Sequence, residues 1–410
     1  MIRTALGHLW LPFTQMDGSD SAPRNFVRGD GNYLFDSRGS RVFDAVSSIW
    51  TTIHGHCRPE IVAAIAWQAT QLDHSTLLGA TNPVAEELAA RLAERLRLDR
   101  VFYASDGASA VEAAIKMALQ VWQSAGQPDR TRFVRLVDAY HGDTAGAMSV
   151  SGVEIFKSRF GAITFEARAY DGDAAVLAEP DIAAVIVEPI VQAAAGMRIV
   201  RPELYEPLKS IEPLVIVDEI ATGFGRTGTM FAHEQLGLQP DIVCIGKGLS
   251  GGALPLSATV VKERVFDAFR GEKFYHGHSY AGNPIACAAA IASLNIFESD
   301  RTMEHVGELC GVLDELLEPL RTHPLVRDVR RVGLMVGIEL EGGLGWPVAN
   351  DLYERGQFTR PIGDVIQLVP PLTSTREELA RFVGDLVASL NPSLPLRAAR
   401  SASRSFDTSR

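Results

Sequence analysis

Cysteine is scarce in this chain: Cys57, Cys244, Cys287 and Cys310 are its 4 cysteines, and they stand far apart, mostly within apolar segments. That spacing argues against a disulfide framework or a cysteine-built zinc site and fits reduced, packed thiols. Long apolar runs are also missing, so nothing approaches the roughly 20 residues that span a bilayer. The N-terminus, MIRTALGHLWLPFTQMDG, is interrupted by His8 and Pro12 and lacks the apolar stretch of a signal peptide. Positive charge is in deficit: 39 Lys and Arg against 50 Asp and Glu leave a net charge of -11. No basic cluster precedes the C-terminal tail, which argues against a nucleic-acid surface. Metal-ligand spacing is absent as well. His54, His56, His276 and His278 sit in two HGH pairs with no carboxylate or cysteine at ligand distance in sequence, so loop hydrogen bonding is the expectation and no metal. The exclusions leave a soluble, cytoplasmic protein with neither nucleic acid nor membrane among its partners.

What is present is a large apolar content. With 410 residues and 46% hydrophobic side chains, the chain can bury a large core and is long enough for two domains. From about residue 100, short apolar runs alternate with helical patterns. The runs are VFYA (101–104), FVRLVDAY (133–140), AAVIVEP (183–189), PLVIVDE (213–219), DIVCIGK (241–247) and LSATVV (256–261). Near-continuous hydrophobicity means burial on both faces, which predicts an α/β fold with a mostly parallel central sheet. SAVEAAIKMALQVWQSA (109–125) has apolar residues at helical spacing. A second region begins helical, HVGELCGVLDELLEPL, and continues strand-like, VRRVGLMVGIEL, predicting a smaller α+β domain. The expected division is an N-terminal segment, 1–55, packing with the small domain, a large domain, 56–298, the C-terminal small domain, 299–392, and a disordered Ser/Arg-rich tail, 393–410. NPIACAAAIASL (283–294) is Ala-rich and suits close helix packing, either in the core or between two copies of the chain.

Ligands of open parallel sheets collect at the carboxyl ends of the strands. Tyr140, Glu188, Asp218 and Lys247 all stand at or just past such ends. A lysine that loses its proton in a desolvated pocket is a nucleophile toward aldehydes, able to form a Schiff base. A carboxylate nearby can hold a protonated ring nitrogen and make a pyridine an electron sink. Together they suggest pyridoxal 5'-phosphate, although Lys247 and Asp218 read alone fit a buried ion pair equally well. In ASDGASAVEAAIKMA, Gly107 and Ala108 lie where a helix opens, so their N–H groups can face a phosphate or merely follow an ordinary cap. Tyr140 can lie flat against a planar ring, and Ile220, two positions after Asp218, can supply the other face. Glu188 either shapes the pocket from behind or is structural. Gly246, Gly248, Gly251 and Gly252 are expected to leave room for the ring and its phosphate.

VDEIATGFGRTGTMFAHEQLGLQPDIVCIGKGLSGG (217–252), AYHGDTAGAMSVSG (139–152), VEPIVQAAAGM (187–197) and HGHSYAGNPIACAAA (276–290) closely resemble class III aminotransferases, which are pyridoxal-phosphate enzymes of fold type I. The likeness runs from about His8 to residue 390. LWLPFTQM (9–16), DAVSSIWTTIHGH (44–56) and RPIGDVIQLVPPL (360–372) are similar to one branch of that family, the 7,8-diaminopelargonate synthases of biotin biosynthesis. The resemblance implies an amino transfer from lysine or S-adenosylmethionine to 8-amino-7-oxononanoate. It also implies Lys247 as the Schiff-base lysine, Asp218 on the pyridine nitrogen, and Tyr140 and Ile220 around the ring. By the same likeness Gly107 and Ala108 hold the phosphate with Ser279 from the second subunit of a homodimer, Arg360 takes a substrate carboxylate, and Phe13 and Trp50 line the pocket. An aliphatic at Ile49, where a second tryptophan would mark the S-adenosylmethionine branch, together with DHSTLLGATNP (73–83), HGHSYAGN and TRPIGDVI (359–366), places the chain nearer the lysine-using branch. Two departures stand out. Asp106 replaces the family's serine before the phosphate-binding glycine and would repel a phosphate unless it turns away to cap the helix. The loop after FGAITFEARAYDGD (160–173) and the one near EGGLGWPVAN (341–350) are compressed relative to the family, which, with Asp106, leaves open another class III aminotransferase with a different amino or keto substrate.

Overall fold

The structure, a computed structural model, describes residues 8–16 and 23–390. The tail 393–410 and the first seven residues lie outside the described residues.

At its centre lies a seven-stranded sheet in the order Arg100–Ala104, Ser257–Val261, Ile242–Ile245, Leu214–Asp218, Ile182–Val187, Arg132–Leu136, Ala167–Tyr170. Only Ser257–Val261 runs against the other six. Its middle strands read IAAVIV, LVIVD and IVCI, and every residue in them is buried. β-Branched side chains suit such a two-sided pleat. Six of the seven strands match the apolar runs of the sequence. The seventh, Ala167–Tyr170, is not among the strands read from the sequence. With only four residues, two of them small and one an arginine, it carries no apolar signature, and as an edge strand it needs none.

The helix Gly107–Ser124 crosses one face of this sheet. Ala110, Val111, Ala113, Ala114, Ile115, Met117, Ala118 and Trp122 are its buried residues, and the alanines bring it close to the strands. The Trp122 indole N–H donates to the carbonyl of Ala183 at 2.7 Å and pins the far end. On the other face, Pro284–Ser299 begins with Asn283 as N-cap and proline in its first turn. It is buried within its own chain against Pro59–Gln71 and Pro83–Leu96, so the Ala-rich stretch serves core packing.

A four-stranded sheet joins Phe26–Asp30, Tyr33–Asp36 and Arg41–Asp44 to Gln357–Phe358, which brings the N-terminal strands beside the C-terminal region. Val326–Val332, Met335–Leu340 and Val365–Leu368 form an antiparallel sheet, backed by Thr302–Leu316 and by Arg376–Ser389, the latter opened by a Thr375/Glu378 capping box. Of the cysteines, Cys244 and Cys287 are buried as the sequence implies, whereas Cys57 is exposed at a turn. Among the described residues no helix is long and apolar enough to cross a membrane.

Candidate active site

Register fixes where the strand ends meet. Val217 pairs with Val187 and Asp218 with Cys244, so Glu188, Asp218 and the Gly246–Lys247 step emerge side by side at the carboxyl edge. Tyr140, past the end of Arg132–Leu136, turns back so that its N–H donates to Glu188 Oε2 at 2.9 Å. The four residues singled out by the strand-end rule therefore share one crevice.

Lys247 opens a short helical turn, Lys247–Ser250, with a left-handed φ of 40°. Its amine end is desolvated, and burial pushes its pKa below the usual lysine range, while Asp218 and Glu188 pull it the other way. Glu188 shifts in the opposite sense. Burial, then the Asp218 charge, raise its carboxyl well above the ordinary value. Both shifts favour neutral forms, and a neutral amine is the nucleophilic one.

Asp218 is held by a partner the sequence reading missed. His141 Nδ1 lies 2.6 Å from Asp218 Oδ2, and the Ile220 N–H donates to Oδ1 at 3.0 Å. With a carboxylate as acceptor, Nδ1 carries the proton; Nε2 is buried and without a partner among the described residues. The signal lay in the sequence, because His141 directly follows Tyr140 in YHGD, but nothing local shows that its ring reaches a strand two places across the sheet.

Gly107 and Ala108 start the helix Gly107–Ser124, so their N–H groups lack intrahelical acceptors. A Cβ on Gly107 would meet the Ile220 side chain at 2.9 Å, which is why the position is glycine and where Ile220 sits. Asp106 turns away from this end: its carboxylate accepts from Ser109 N–H at 3.0 Å and from Ser109 Oγ at 2.8 Å. The repulsion that its charge threatens is thereby directed into a helix cap.

The glycines after Lys247 correct one expectation. A Cβ on Gly252 would strike the Thr51 carbonyl carbon at 2.6 Å, one on Gly251 would strike Ile61, and one on Gly248 would press Ile53 and Phe224. They make room for the chain itself. Only Gly246, beside Ile220 and Ser257, faces the crevice side.

Trp50 arrives by an unusual route. Ser47, Ser48, Ile49 and Trp50 have φ of 47°, 47°, 65° and 69°, one turn of left-handed helix without a glycine. At roughly 1–2 kcal/mol for each L-residue, the turn costs about 4–8 kcal/mol that surrounding contacts must offset. Its result is the Trp50 ring centroid 5.1 Å from Lys247 Nζ, with the indole N–H donating to Gln367 Oε1 at 2.9 Å. Gln367 in turn donates to the carbonyl of Arg360. Arg360 is half-buried, desolvation lowers its pKa, and no carboxylate pairs with it among the described residues. A partly desolvated guanidinium without a counter-ion is a ready anion site.

Phe13 is 62% exposed and touches Phe156 edge-on at 5.7 Å, and Phe156 meets Tyr140 at 5.4 Å, so it approaches the crevice only through another ring. Ser279 is exposed, in the loop before Pro284–Ser299. The histidine pairs are used locally: His54 with Ser293, His56 with Asp44, His278 with Ser105 and His276 beside Lys116.

The model of the family described as aminotransferase class-III matches residues 14–390. The chain belongs to the class-III aminotransferase family. The adenosylmethionine-8-amino-7-oxononanoate aminotransferase of Geobacter sulfurreducens is 40% identical, covering 94% of this chain and 96% of that protein. The one from Nitratidesulfovibrio vulgaris is 42% identical over 92% of this chain and 79% of its own. Among solved structures, the Methanocaldococcus jannaschii protein of that name superposes with a TM-score of 0.88 at 38% identity, covering 93% of this chain and 96% of its own. An amine transaminase from an uncultivated Pseudomonas species, solved with pyridoxal phosphate bound, has a TM-score of 0.87 at 32% identity and coverages of 93% and 98%.

This aminotransferase is therefore a pyridoxal-phosphate enzyme of fold type I. The residues present fit that group chemically. The crevice offers a desolvated amine for an aldehyde, an oriented carboxylate for a pyridine nitrogen, and a helix opening whose nearest negative charge is occupied elsewhere.

Proposed function

We propose that this aminotransferase transfers an amino group to 8-amino-7-oxononanoate, giving 7,8-diaminononanoate on the way to biotin. The observation that carries this reading is the naming of its relatives: proteins about 40% identical across nearly the whole chain are named for that acceptor. Their printed names give adenosylmethionine as donor, whereas the aliphatic Ile49 beside Trp50 supports lysine.

When bound, pyridoxal phosphate supplies an aldehyde for amine exchange and a ring that withdraws electrons from the bond to be broken. Lys247 would hold it through Nζ, with Asp218, kept in orientation by His141, facing the pyridine nitrogen. Tyr140 and Ile220 would flank the ring, and Glu188 would back it. The N–H groups of Gly107 and Ala108, with Ser279 of the partner subunit, would hold the phosphate. Lys247 Nζ, lowered in pKa by burial, takes a proton from the substrate α-carbon and returns one, acting as base and acid from one position. Arg360 binds the substrate carboxylate, and Phe13 and Trp50 wall the pocket. Trp50, buried and hydrogen-bonded to Gln367, keeps water from the amine. The enzyme would work as a cytoplasmic homodimer in which Ser279, exposed in its own chain, reaches the site of the other subunit.

A donor panel tests the reading. Purified holoenzyme is mixed with lysine, S-adenosylmethionine or other amines, and bleaching of the visible cofactor band is followed. 8-Amino-7-oxononanoate should then restore the band, and the gene should rescue a biotin-requiring strain. A second reading is an amine transaminase with another acceptor, since the Pseudomonas amine transaminase shares the fold at a TM-score of 0.87 and 32% identity. Bleaching by amines that 8-amino-7-oxononanoate fails to reverse would select it.

A further inference from the structure

The left-handed turn at Ser47–Trp50 needs something to hold it, and the buried groups around it have no place in the chemistry above. Asp44 ends the strand Arg41–Asp44 and is fully buried. Its Oδ2 accepts from Ser48 Oγ at 2.8 Å and lies 2.8 Å from His56 Nε2. Ser48 is in the middle of the turn, and His56 lies on the chain that leaves it. The same carboxylate therefore ties the turn to the segments before and after it. Ser47 Oγ donates to the Val369 carbonyl at 2.8 Å, and the Trp50 carbonyl accepts from the buried Arg226 at 3.4 Å. The backbone closes with Trp50 N–H on Val46 O at 2.7 Å and Thr51 N–H on Ser47 O at 2.9 Å. Gly252 seals the far side, where any side chain would collide with Thr51.

Ser, Ile and Trp do not choose left-handed backbone for themselves. We propose that the Asp44–Ser48–His56 clamp is a positioning device that holds the left-handed turn, and through it sets Trp50 against Lys247 for substrate recognition. The three residues act through Trp50 and touch no reacting atom. The proposal rests on the aminotransferase reading for its kinetic arm and on the fold alone for its structural arm.

Both arms are measured on holoenzyme with the variants Ser48→Ala and Ser48→Asn. Alanine removes the tie and keeps the conformational strain. Asparagine tolerates left-handed backbone and carries an N–H donor for Asp44. In Ser48→Ala, hydrogen exchange at the Trp50–Thr52 amides should quicken about tenfold while the central sheet stays protected. The KM for the keto acceptor should rise about tenfold with kcat changed by less than about threefold and cofactor content unchanged. Ser48→Asn should return both readouts most of the way. Unchanged exchange in Ser48→Ala overturns the clamp, as does an unchanged KM once exchange has quickened, or a KM rise that only parallels loss of cofactor. Should wild-type enzyme fail to use 8-amino-7-oxononanoate, the substrate reading falls, and the exchange comparison still decides the clamp.

Discussion

Arg360 shows how far single residues were legible. Its place in TRPIGDVI marks it by resemblance, and the structure adds what sequence cannot: partial burial with no carboxylate to answer its charge among the described residues. That Lys247, Asp218, Tyr140 and Glu188 meet in one crevice was legible because hydrophobic strands announce their own ends. His141 and Asp44 were not. Each acts through a contact distant in sequence, His141 to Asp218 and Asp44 to residues on both sides of a turn, and neither stands at helical or strand spacing from its partner. For Arg360 the expected outcome is specific. Losing a charged hydrogen-bond partner worth about 1.5–3 kcal/mol, Arg360→Ala should raise the KM for a carboxylate-bearing acceptor by roughly 10- to 100-fold, more than it lowers kcat. Steady-state kinetics on purified variant check this, and a KM within twofold of wild type would remove Arg360 from the substrate site.

Among elements, the long apolar strands and the helix Gly107–Ser124 were plain from pattern, whereas two elements stayed hidden. Ala167–Tyr170 was too short and too polar to register, and the left-handed turn uses SSIW, residues that give no local hint of positive φ. His54 illustrates how a neighbouring loop is secured to a helix. Its Nε2 meets Ser293 Oγ at 3.1 Å, its ring stands edge-on to Phe297 at 4.9 Å, and both partners belong to Pro284–Ser299. Burial holds its pKa down at about 4, below the ordinary 6.5. Above pH 6.5 neither the folded nor the unfolded chain protonates it. Below that, the unfolded chain takes the proton first, so stability falls with falling pH until about pH 4, by about 3 kcal/mol in all. Urea midpoints between pH 7 and 4 should show this loss in wild type and a shallower slope in His54→Gln. Equal slopes would mean that the histidine does not stay neutral in the fold.

At the scale of the whole molecule, the described chain leaves large side chains in water: Trp10 is 84% exposed, Tyr275 85% and Leu78 72%. Leu78, beside Gly277, and Tyr275 lie close to the exposed Ser279, and apolar surface there fits a face covered by a second copy. Sedimentation equilibrium of holoenzyme at micromolar concentration should return twice the chain mass, and a single-chain mass would leave the phosphate without Ser279. The strand ends of the central sheet place one desolvated amine beside two carboxylates, and that amine should carry the cofactor. Borohydride reduction of the holoenzyme, followed by peptide mass spectrometry, should find a phosphopyridoxyl group on Lys247 and on no other lysine, with Lys247→Ala carrying none. A stable adduct elsewhere, or none on Lys247, would contradict the account.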